Sequence, residues 1–506
     1  MKRILCLFLT FLFVLLTLAA CDPNKDLSEA ESKDTSSTVS STSEEPVESE
    51  DPASKLEVKN LGGRVIRILC RDWAEGSTSI TGFNGEVIQR NDFDELTADI
   101  VDIAKHEVRL NVEDKYNCKI VGELRGDSPA AFNAYVKNSL MLSKDEQFDI
   151  VFDGWGHSAP LVAEGVYVDM NTIKSINFKN PWWDQNARKD MSINNKLYWM
   201  AGDINTYDND GTWVILFNKS LASTYYQDKD FYNMVKKDEW TLDTFIELCK
   251  GITSDINSDG ILDEFDLWGF GTETYNAFVH MLASGGKIIN KNNDDELELT
   301  FDTERNITVL QKIFEFYNDE NTVMVANAGK FNNKGYTNVW EETIIKAFRE
   351  GRELFFCCGL INIAGFRDLD FKYGFLPIPK YDTNQDGYYH SVSMHNMSAM
   401  SIPNTSTDYY DLGLVIEALG AESMKNLTPI YYEKTLKGKD ADTTNDEIML
   451  DLIFSSRTFD LGTAFNTGNV LGTIMTLNVN IASSFQSLRS QAESDLQKLL
   501  DDLNKF

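Results

Sequence analysis

The chain has 506 residues with 47 Lys or Arg and 79 Asp or Glu, which gives a formal net charge of −32. This length exceeds one ordinary hydrophobic core and predicts two or three lobes, and 42% hydrophobic residues exclude a wholly disordered chain. The acidic balance argues against nucleic-acid binding, because an acidic surface repels phosphate backbones.

The first twenty residues have the features of a secretory signal. Lys2 and Arg3 precede an uncharged, Leu- and Phe-rich run of 17 residues from Ile4 to Ala20. Because this run is at the lower limit for a membrane span, an uncleaved anchor helix is the alternative. The small residues before Cys21 resemble the lipobox of bacterial lipoproteins. The resemblance implies cleavage before Cys21, lipidation of its new N-terminus, and a protein held outside the membrane by that lipid alone.

Residues 21–55 are predicted to be a disordered tether. They are rich in Ser and Glu and contain no aromatic residue, so they cannot bury enough apolar surface to offset the entropy of ordering. From residue 56 onward, short apolar runs alternate with amphipathic stretches, which predicts an α/β protein with parallel strands covered on both faces. The predicted strands are 65–70, 119–124, 148–152, 213–217, 354–358 and 373–378, and the predicted helices are 100–116, 131–142 and 481–503.

The cysteines downstream of Cys21 show no metal or redox motif. No CxxC pair occurs among the five of them, and most are predicted to be buried as small hydrophobic residues. A disulfide between Cys70 and Cys118 is compatible with an exported protein, but the sequence does not decide it.

Several segments in a fixed order resemble the extracellular solute-binding proteins of ABC importers, in the carbohydrate-binding family 1 that includes maltose-binding protein. The similarity covers roughly residues 60–506. It rests on their order, since each motif alone is loose, and two features depart from the usual family pattern. Ala201-Gly202-Asp203 stands where a Pro is usual in the first crossover, and Pro-Trp-Trp-Asp at 181–184 is typical of only some members. The segments that carry the resemblance are 148–155, 161–170, 196–200, 213–221, 240–245 and 373–379.

The resemblance implies the type II periplasmic-binding-protein-like fold, with two α/β lobes joined by crossover strands and a ligand cleft between them. The first lobe would comprise 56–205 plus 380–425, and the second 206–379 plus 426–506. The implied function is capture of a carbohydrate, specifically an oligosaccharide, and its delivery to the permease of an ABC importer. The resemblance also implies that the protein is a monomer and has no enzymatic activity. Ligand-contacting stretches implied by the family segments, together with the crossover residue Trp213, give ten candidates: Asp72, Trp73, Asp153, Trp155, Tyr207, Asp210, Trp213, Tyr275, Gly359 and Asn362.

Flat aromatic faces and polar side chains suit a sugar ligand. Sugars present apolar C–H faces that aromatic rings cover, and hydroxyl rims that Asp, Asn and Arg can hydrogen-bond. Trp155, beside Asp153 after a predicted strand, is the strongest candidate for a cleft aromatic. Packing in the core is the alternative for any single Trp, and it is the preferred interpretation for Trp199, Trp240 and Trp268.

The segment 255–266 matches the calcium-binding loop of EF-hands. Oxygen ligands occupy loop positions 1, 3, 5, 9 and 12, a backbone carbonyl would serve at position 7, and Gly260 at position 6 permits the sharp turn. The alternative is an acidic, solvated turn, and the final Asp is shorter than the usual Glu. The predicted role of Ca²⁺ is structural, and its predicted ligands are Asp255, Asn257, Asp259, Ile261, Asp263 and Asp266.

Motifs of covalent catalysis are missing from the sequence. It contains no HExxH, GxSxG, phosphate-binding loop or GxGxxG. The rival interpretation from another class is a surface glycoside hydrolase acting through two carboxylates. A third interpretation keeps the binding fold but makes it a sensor, or a receptor for another solute such as a peptide.

Overall fold

The computed structural model describes residues 51–72, 85–88, 94–96, 98–143, 147–332, 334–395, 397–436 and 443–506. Its thirteen described strands are β1 Arg64–Arg71, β2 Cys118–Arg125, β3 Ile150–Asp153, β4 Trp213–Asn218, β5 Trp268–Thr272, β6 Ile289–Lys291, β7 Leu297–Leu299, β8 Val323–Val325, β9 Glu353–Gly359, β10 Tyr373–Leu376, β11 His390–Ser391, β12 Ala399–Ser401 and β13 Arg457–Thr458.

Helices fill most of the chain between the strands. The α-helices are α1 Ile100–Tyr116, α2 Pro129–Ser139, α3 Trp155–Ala163, α4 Gln185–Met191, α5 Tyr207–Asp210, α6 Lys219–Tyr225, α7 Phe231–Lys236, α8 Leu242–Cys249, α9 Asn276–Ala283, α10 Glu304–Tyr317, α11 Lys346–Arg349, α12 Tyr409–Asn426, α13 Thr428–Leu436, α14 Thr443–Ser455, α15 Leu461–Ala464, α16 Val470–Ile474 and α17 Ile481–Leu503. A π-helical turn spans Glu341–Ile345, and 3-10 turns include Pro52–Lys55 and Leu360–Phe366.

The first sheet has four strands in the order β12–β3–β1–β2. β1 pairs in parallel with β2 and β3, whereas β12 runs antiparallel to β3. β1 is buried over most of its length, as a strand covered on both faces requires. Cys70 lies opposite Phe152, so the loops after β1 and β3 leave the same edge of the sheet.

The second sheet has five strands in the order β10–β4–β9–β5–β8. β5 is parallel to β8 and β9, while β4 is antiparallel to both β9 and β10. Trp213, the first residue of β4, lies opposite Gly359, the last residue of β9. The start of one strand and the end of its neighbour therefore meet at one edge of the sheet.

Two chain segments cross between the sheets and pair with each other. Antiparallel bridges join Met200 to Met400 and Thr212 to Val392. The two crossovers therefore run side by side over the interval that separates the two sheets.

A buried carboxylate, that of Glu86, ties both crossovers to the first sheet's side of the protein. It accepts hydrogen bonds from the backbone N–H groups of Thr206 and Tyr207, at 2.9 and 3.0 Å, and from the Ser398 hydroxyl at 2.8 Å. Lys105 Nζ lies 3.7 Å from the same carboxylate and supplies the opposite charge. Glu86 thus bonds Thr206 and Tyr207 of one crossover and Ser398 of the other. Because α5 begins at Tyr207, these bonds fix the position of α5 between the sheets.

The C-terminal helix α17 follows its predicted pattern. Ile481, Phe485 and Leu503 are buried, together with other members of the same face. It packs against α10 and also against α3, which follows a strand of the first sheet. The apolar core is therefore continuous between the two sheets on this side. Among the residues that the structure describes, no helix combines the length and the apolar character needed to cross a membrane.

Two predicted boundaries differ from the structure. Residues 428–436 were expected in the second lobe, but α13 packs against α1 and α12. The reason is that Leu427 and Ile430 bury their side chains in the apolar cluster of the first sheet. At the end of the predicted tether, Pro52–Lys55 forms a 3-10 turn capped by the carboxylate of Asp51. The rest of the tether, residues 21–50, and the signal segment 1–20 lie outside the described residues.

The disulfide left open by the sequence does not form. Cys70 and Cys118 are both free and buried. In the parallel register of β1 and β2, Cys118 lies opposite Arg64, six residues before Cys70 along the strand. Six strand residues correspond to about 20 Å, far more than a disulfide can span.

Candidate functional site

A pocket of about 280 Å³ opens where β4, β9 and the crossovers meet, near the lower end of the range for small-molecule sites. We call it the crossover pocket. Its lining residues come from the start of β4, the end of β9, the 3-10 turn that follows, α5, the π-helical turn and the second crossover. They are Asp210, Gly211, Trp213, Glu273, Trp340, Ile344, Ile345, Phe356, Cys357, Cys358, Gly359, Ile361, Asn362 and Ser393.

Aromatic rings form one wall of the crossover pocket. Trp213 is 8% exposed, and its ring lies 5.4 Å from that of Tyr275, with 37° between the ring planes. Trp213 Nε1 has no hydrogen-bond partner among the described residues. Trp340 is 40% exposed and stands at the beginning of the π-helical turn. Both indoles offer flat apolar surface to a ligand.

Glu273 places a carboxylate beside these rings. Trp340 Nε1 donates a hydrogen bond of 2.8 Å to Glu273 Oε2. Burial raises the pKa of Glu273 to about 7, and the hydrogen bond from Trp340 only partly opposes this effect. Within the described part of the chain, no Lys, Arg or His pairs with this carboxylate.

Asp210 supplies a second carboxylate to the crossover pocket. It is the last residue of α5 and accepts a hydrogen bond of 2.7 Å from the Tyr431 hydroxyl. Burial raises its pKa to about 6, against the attraction of Lys105 and Lys434. Polar side chains from both crossovers therefore surround the aromatic wall.

A second polar cluster lies at the edge of the first sheet, where β1 and β3 end. Arg71 lies 3.5 Å from Asp153 and donates a 2.6 Å hydrogen bond to His157 Nδ1. Burial raises the pKa of Asp153 to about 7, although Arg71 opposes the shift. Burial and the charge of Arg71 lower the pKa of His157 to about 3, so its ring is neutral at pH 7. The ring of His395 lies 5.2 Å from that of His157.

Residues 393–395 connect this cluster to the crossover pocket. Ser393 N–H donates to the Gly211 carbonyl at 2.8 Å, and Gly156 N–H donates to the Met394 carbonyl at 2.8 Å. One short stretch of the second crossover therefore contacts both polar groups. Loops from the edges of both sheets therefore meet at the second crossover, as expected for a cleft between two lobes.

The structure brings five of the predicted site residues together at the crossover pocket. Asp210, Trp213, Gly359 and Asn362 all line the crossover pocket, and Tyr275 contacts it through the ring of Trp213. These five residues lie in three separate stretches of the sequence, 210–213, 275 and 359–362. Their role as ligand contacts remains a prediction.

Asp72 and Asp153 lie at the edge of the first sheet instead. Asp72 follows β1, and its N–H donates to the Arg125 carbonyl at 2.7 Å. Both are buried, at 5% and 2% exposure, and neither lines the crossover pocket. Trp73 lies outside the described residues.

The predictions for Trp155 and Tyr207 need correction. Trp155 is fully buried, and its ring packs edge-on against Phe459 at 4.8 Å. Helix α3 begins at Trp155, which turns the side chain into the core. Tyr207 is 4% exposed, with Lys105 Nζ 5.3 Å from its ring centre. Both rings belong to the packed interior.

Glu273, Trp340 and Ser393 are among the lining residues that the sequence analysis missed. Glu273 lies two residues before Tyr275, so extending the predicted stretch by two positions would have included it. Trp340 and Ser393 carry no local signal of this kind. They reach the pocket only through the packing of the π-helical turn and the second crossover.

A larger pocket, of about 440 Å³, is lined by Asp208 and Asn209 of α5. Its one basic side chain, Arg457, is already paired. Arg457 contacts Asp184 at 2.8 Å and Asp208 at 3.1 Å, and it also donates to Asn209 at 2.9 Å. This network joins β13 to α5 and to the segment before α4. Because its one basic side chain is already held by two carboxylates, we rank it below the crossover pocket as a candidate ligand site.

The predicted calcium loop is closed at both ends. Ser254 and Leu267 form an antiparallel bridge, and Gly260 has the positive φ of 82° that its turn requires. Asp255 accepts from the N–H of Gly260 at 2.8 Å, and Asp266 accepts from the N–H of Ile256 at 3.0 Å. Among the described residues, however, no three His, Cys, Asp or Glu side chains gather as a metal site requires.

Comparison with solved structures identifies the fold. UspC of M. tuberculosis aligns with a TM-score of 0.54 at 12% identity, over 85% of this chain and 100% of that chain. A cyclic alpha-maltosyl-1,6-maltose binding protein from Arthrobacter globiformis aligns with a TM-score of 0.53 at 12% identity, over 88% and 100%. A cyclo/maltodextrin-binding protein complexed with maltotetraose gives 0.51 at 12% identity, over 88% and 98%. No protein-family model matches the sequence, and the search of curated proteins gives no match. The likeness confirms the predicted two-lobed binding-protein fold.

Proposed function

We propose that this two-lobed protein captures a carbohydrate in the crossover pocket and delivers it to the permease of an ABC importer. The observation that carries the proposal is that Trp213, Trp340 and the Glu273 carboxylate line one pocket at the crossovers, with Trp340 hydrogen-bonded to Glu273. The names of two proteins with the same fold, a maltodextrin-binding and a cyclic maltosyl-maltose-binding protein, support a sugar as the ligand.

The chemistry of the pocket suits a sugar ring. Indole faces cover the apolar C–H surface of a pyranose, and carboxylate and amide oxygens accept hydrogen bonds from its hydroxyls. Asn362 adds an amide, and Ser393 adds a hydroxyl. In this function the protein makes and breaks no covalent bond of the sugar. The protein would act as a monomer whose lobes close around the sugar, and it would later release the sugar intact.

The test is thermal unfolding of the full chain, purified in detergent, against a panel of mono- and oligosaccharides. A ligand that binds only the native state raises the midpoint by mass action. We expect one class of sugar to raise it, and chromatography to recover that sugar unchanged. Consumption of the sugar would instead favour a glycoside hydrolase. No shift with any sugar would favour a receptor for another solute, such as a peptide.

We propose that the mature chain is anchored outside the membrane through a lipid on Cys21. The lipobox-like residues before Cys21 support this location. We expect a fatty-acid analogue fed to an expressing bacterium to label the wild-type chain and leave a Cys21→Ser variant unlabelled. Equal labelling of both chains, or of neither, would contradict the proposal.

We also propose that calcium binds the loop 255–266, on the strength of its EF-hand pattern. Asp255 and Asp266 both direct carboxylate oxygens across the loop, so binding requires Asp259 and Asp263 to turn toward them. We expect calcium at 100 times its Kd to stabilise the native chain by about 2.7 kcal/mol, and a chelator to remove that gain. Calorimetry with calcium and with chelator measures both.

Two variants make the calcium test specific. Asp255→Ala should abolish the response to calcium. Asp382→Ala is the matched control, because Asp382 likewise accepts hydrogen bonds from nearby backbone N–H groups in the similar turn 382–387. An unfolding midpoint that ignores both calcium and chelator would reduce the loop to an acidic turn.

A further inference from the structure

Glu273, half-buried beside the crossover pocket, lacks the basic partner that several buried carboxylates of this protein have. Three others each have a basic side chain nearby: Asp208 lies 3.1 Å from Arg457, Asp153 lies 3.5 Å from Arg71, and Glu86 lies 3.7 Å from Lys105. Glu273 has only the neutral indole N–H of Trp340. When it ionises, it therefore has no counter-charge within the described part of the chain.

The surroundings of Glu273 contain no substitute cation. Among the described residues that line the crossover pocket, none is Lys, Arg or His, and Asp210 adds a second acidic group. Glu353 and Glu417 likewise form no ion pair among the described residues, but both are fully buried and neither lines the crossover pocket or the larger pocket. Glu273 differs because a ligand can reach it.

We propose that the crossover pocket selects a sugar that carries a protonated amino group, with the ammonium placed on Glu273 and beside the Trp340 ring. This inference rests on the proposed function and names the substrate class of the same site. A charge-assisted hydrogen bond to a carboxylate is roughly twice as strong as a neutral one.

Other substituents at the same sugar position would satisfy the pocket less well. A hydroxyl donates a hydrogen bond to Glu273 but brings no charge to balance it. An N-acetyl group removes the charge of the amine, and a carboxylate or sulfate would be repelled by Glu273 and Asp210. The net charge of −32 also attracts cationic ligands toward the protein.

The experiment compares ligands that differ only in this substituent. Isothermal titration at pH 7 would use glucosamine, glucose and N-acetylglucosamine, each as the monosaccharide and as the β-1,4-linked trimer, and the pair galactosamine and galactose. We expect an amine-bearing sugar to bind on the order of tenfold more tightly than its hydroxyl counterpart. Equal affinities, or tighter binding of the neutral sugar, would overturn the inference.

A Glu273→Gln variant tests the residue itself. It keeps the shape of the side chain but removes its charge, so we expect the preference for the amine over the hydroxyl to disappear. Glu315→Gln, at an exposed position of α10, is the matched control and should keep the preference. An amine preference that survives in Glu273→Gln would assign recognition elsewhere and overturn the inference.

The inference and the proposed function fail in different ways. If a neutral sugar from the wider panel binds and no amine-bearing sugar is preferred, capture of a carbohydrate stands and the amine assignment fails. If no sugar of any kind binds, the proposed function fails and the inference fails with it.

Discussion

A Trp340→Ala variant is expected to bind its sugar at least about 30-fold more weakly than the wild-type chain. Aromatic residues that form the centre of a binding site typically cost about 2 kcal/mol or more when truncated to Ala, which corresponds to that factor. Trp340 would lose both its stacking surface and the N–H that orients Glu273 at 2.8 Å. Isothermal titration with the sugar found in the thermal panel measures the loss.

The position of Trp340 makes this variant informative. Its side chain is 40% exposed, so truncation opens no cavity in the core, and we expect the unfolding midpoint to change by less than about 1 °C. Trp213 is a poorer choice, because it is only 8% exposed and begins a central strand of the second sheet. Loss of binding in a Trp213 variant would be hard to separate from loss of stability.

Two further variants separate the roles of the ring. Trp340→Phe keeps an aromatic face but removes the N–H donor to Glu273, so its affinity should lie between those of wild type and Trp340→Ala. Tyr225→Ala removes a ring of similar exposure, 43%, from α6 and should leave the affinity unchanged. Wild-type affinity in Trp340→Ala would show that the sugar does not contact this side of the pocket.

The fold could be predicted from sequence where local pattern and tertiary packing agree. The predicted helix 100–116 has the bounds of α1, because Asp99 caps its start and Asn117 ends it in a left-handed conformation. The apolar face of α17 is likewise buried as its spacing indicates. The boundary near α13 could not be predicted, because it depends on which sheet that helix packs against.

The candidate site divides in the same way. Asp210, Trp213 and Asn362 were found because they stand next to strands or crossovers whose order along the chain fixes their position. Trp155 has the same kind of sequence neighbourhood, yet Phe459, some 300 residues away, holds its ring in the core. Trp340 has no strand next to it and enters the pocket only through tertiary packing. Local sequence therefore locates loop ends but not the direction of a side chain.

Replacing Glu353 by Met is expected to stabilise the protein by about 2 kcal/mol or more at pH 7. Glu353 is completely buried at the start of β9, and neither carboxylate oxygen has a hydrogen-bond partner among the described residues. The side chain lies directly over Gly271 of the neighbouring strand, where any β-carbon would collide with it. Met has a similar length, fits the same space, and leaves no polar group unpaired.

The gain should depend on pH, and its sign follows from the pKa. Burial raises the pKa of Glu353 well above its usual value, with only partial relief from Arg352. The folded chain holds this proton while the unfolded chain releases it, so the wild-type chain loses stability as pH rises above the ordinary pKa of a Glu. The advantage of the Met variant should therefore be smallest near pH 4 and grow by up to about 1.4 kcal/mol for each pH unit.

Urea unfolding of three chains from pH 4 to pH 8 measures this effect. Glu353→Gln keeps a polar group but has no titrating proton. Its stability relative to wild type should therefore rise with pH, as that of the Met variant does. At every pH it should be less stable than the Met variant, because its buried amide is unpaired. Glu315→Met, at an exposed position of α10, is the control and should show no trend. A Met variant that is less stable than wild type at pH 8 would mean that the ionised carboxylate finds a partner in the folded chain. In that case the pH dependence should reverse, with stability lost as the pH falls.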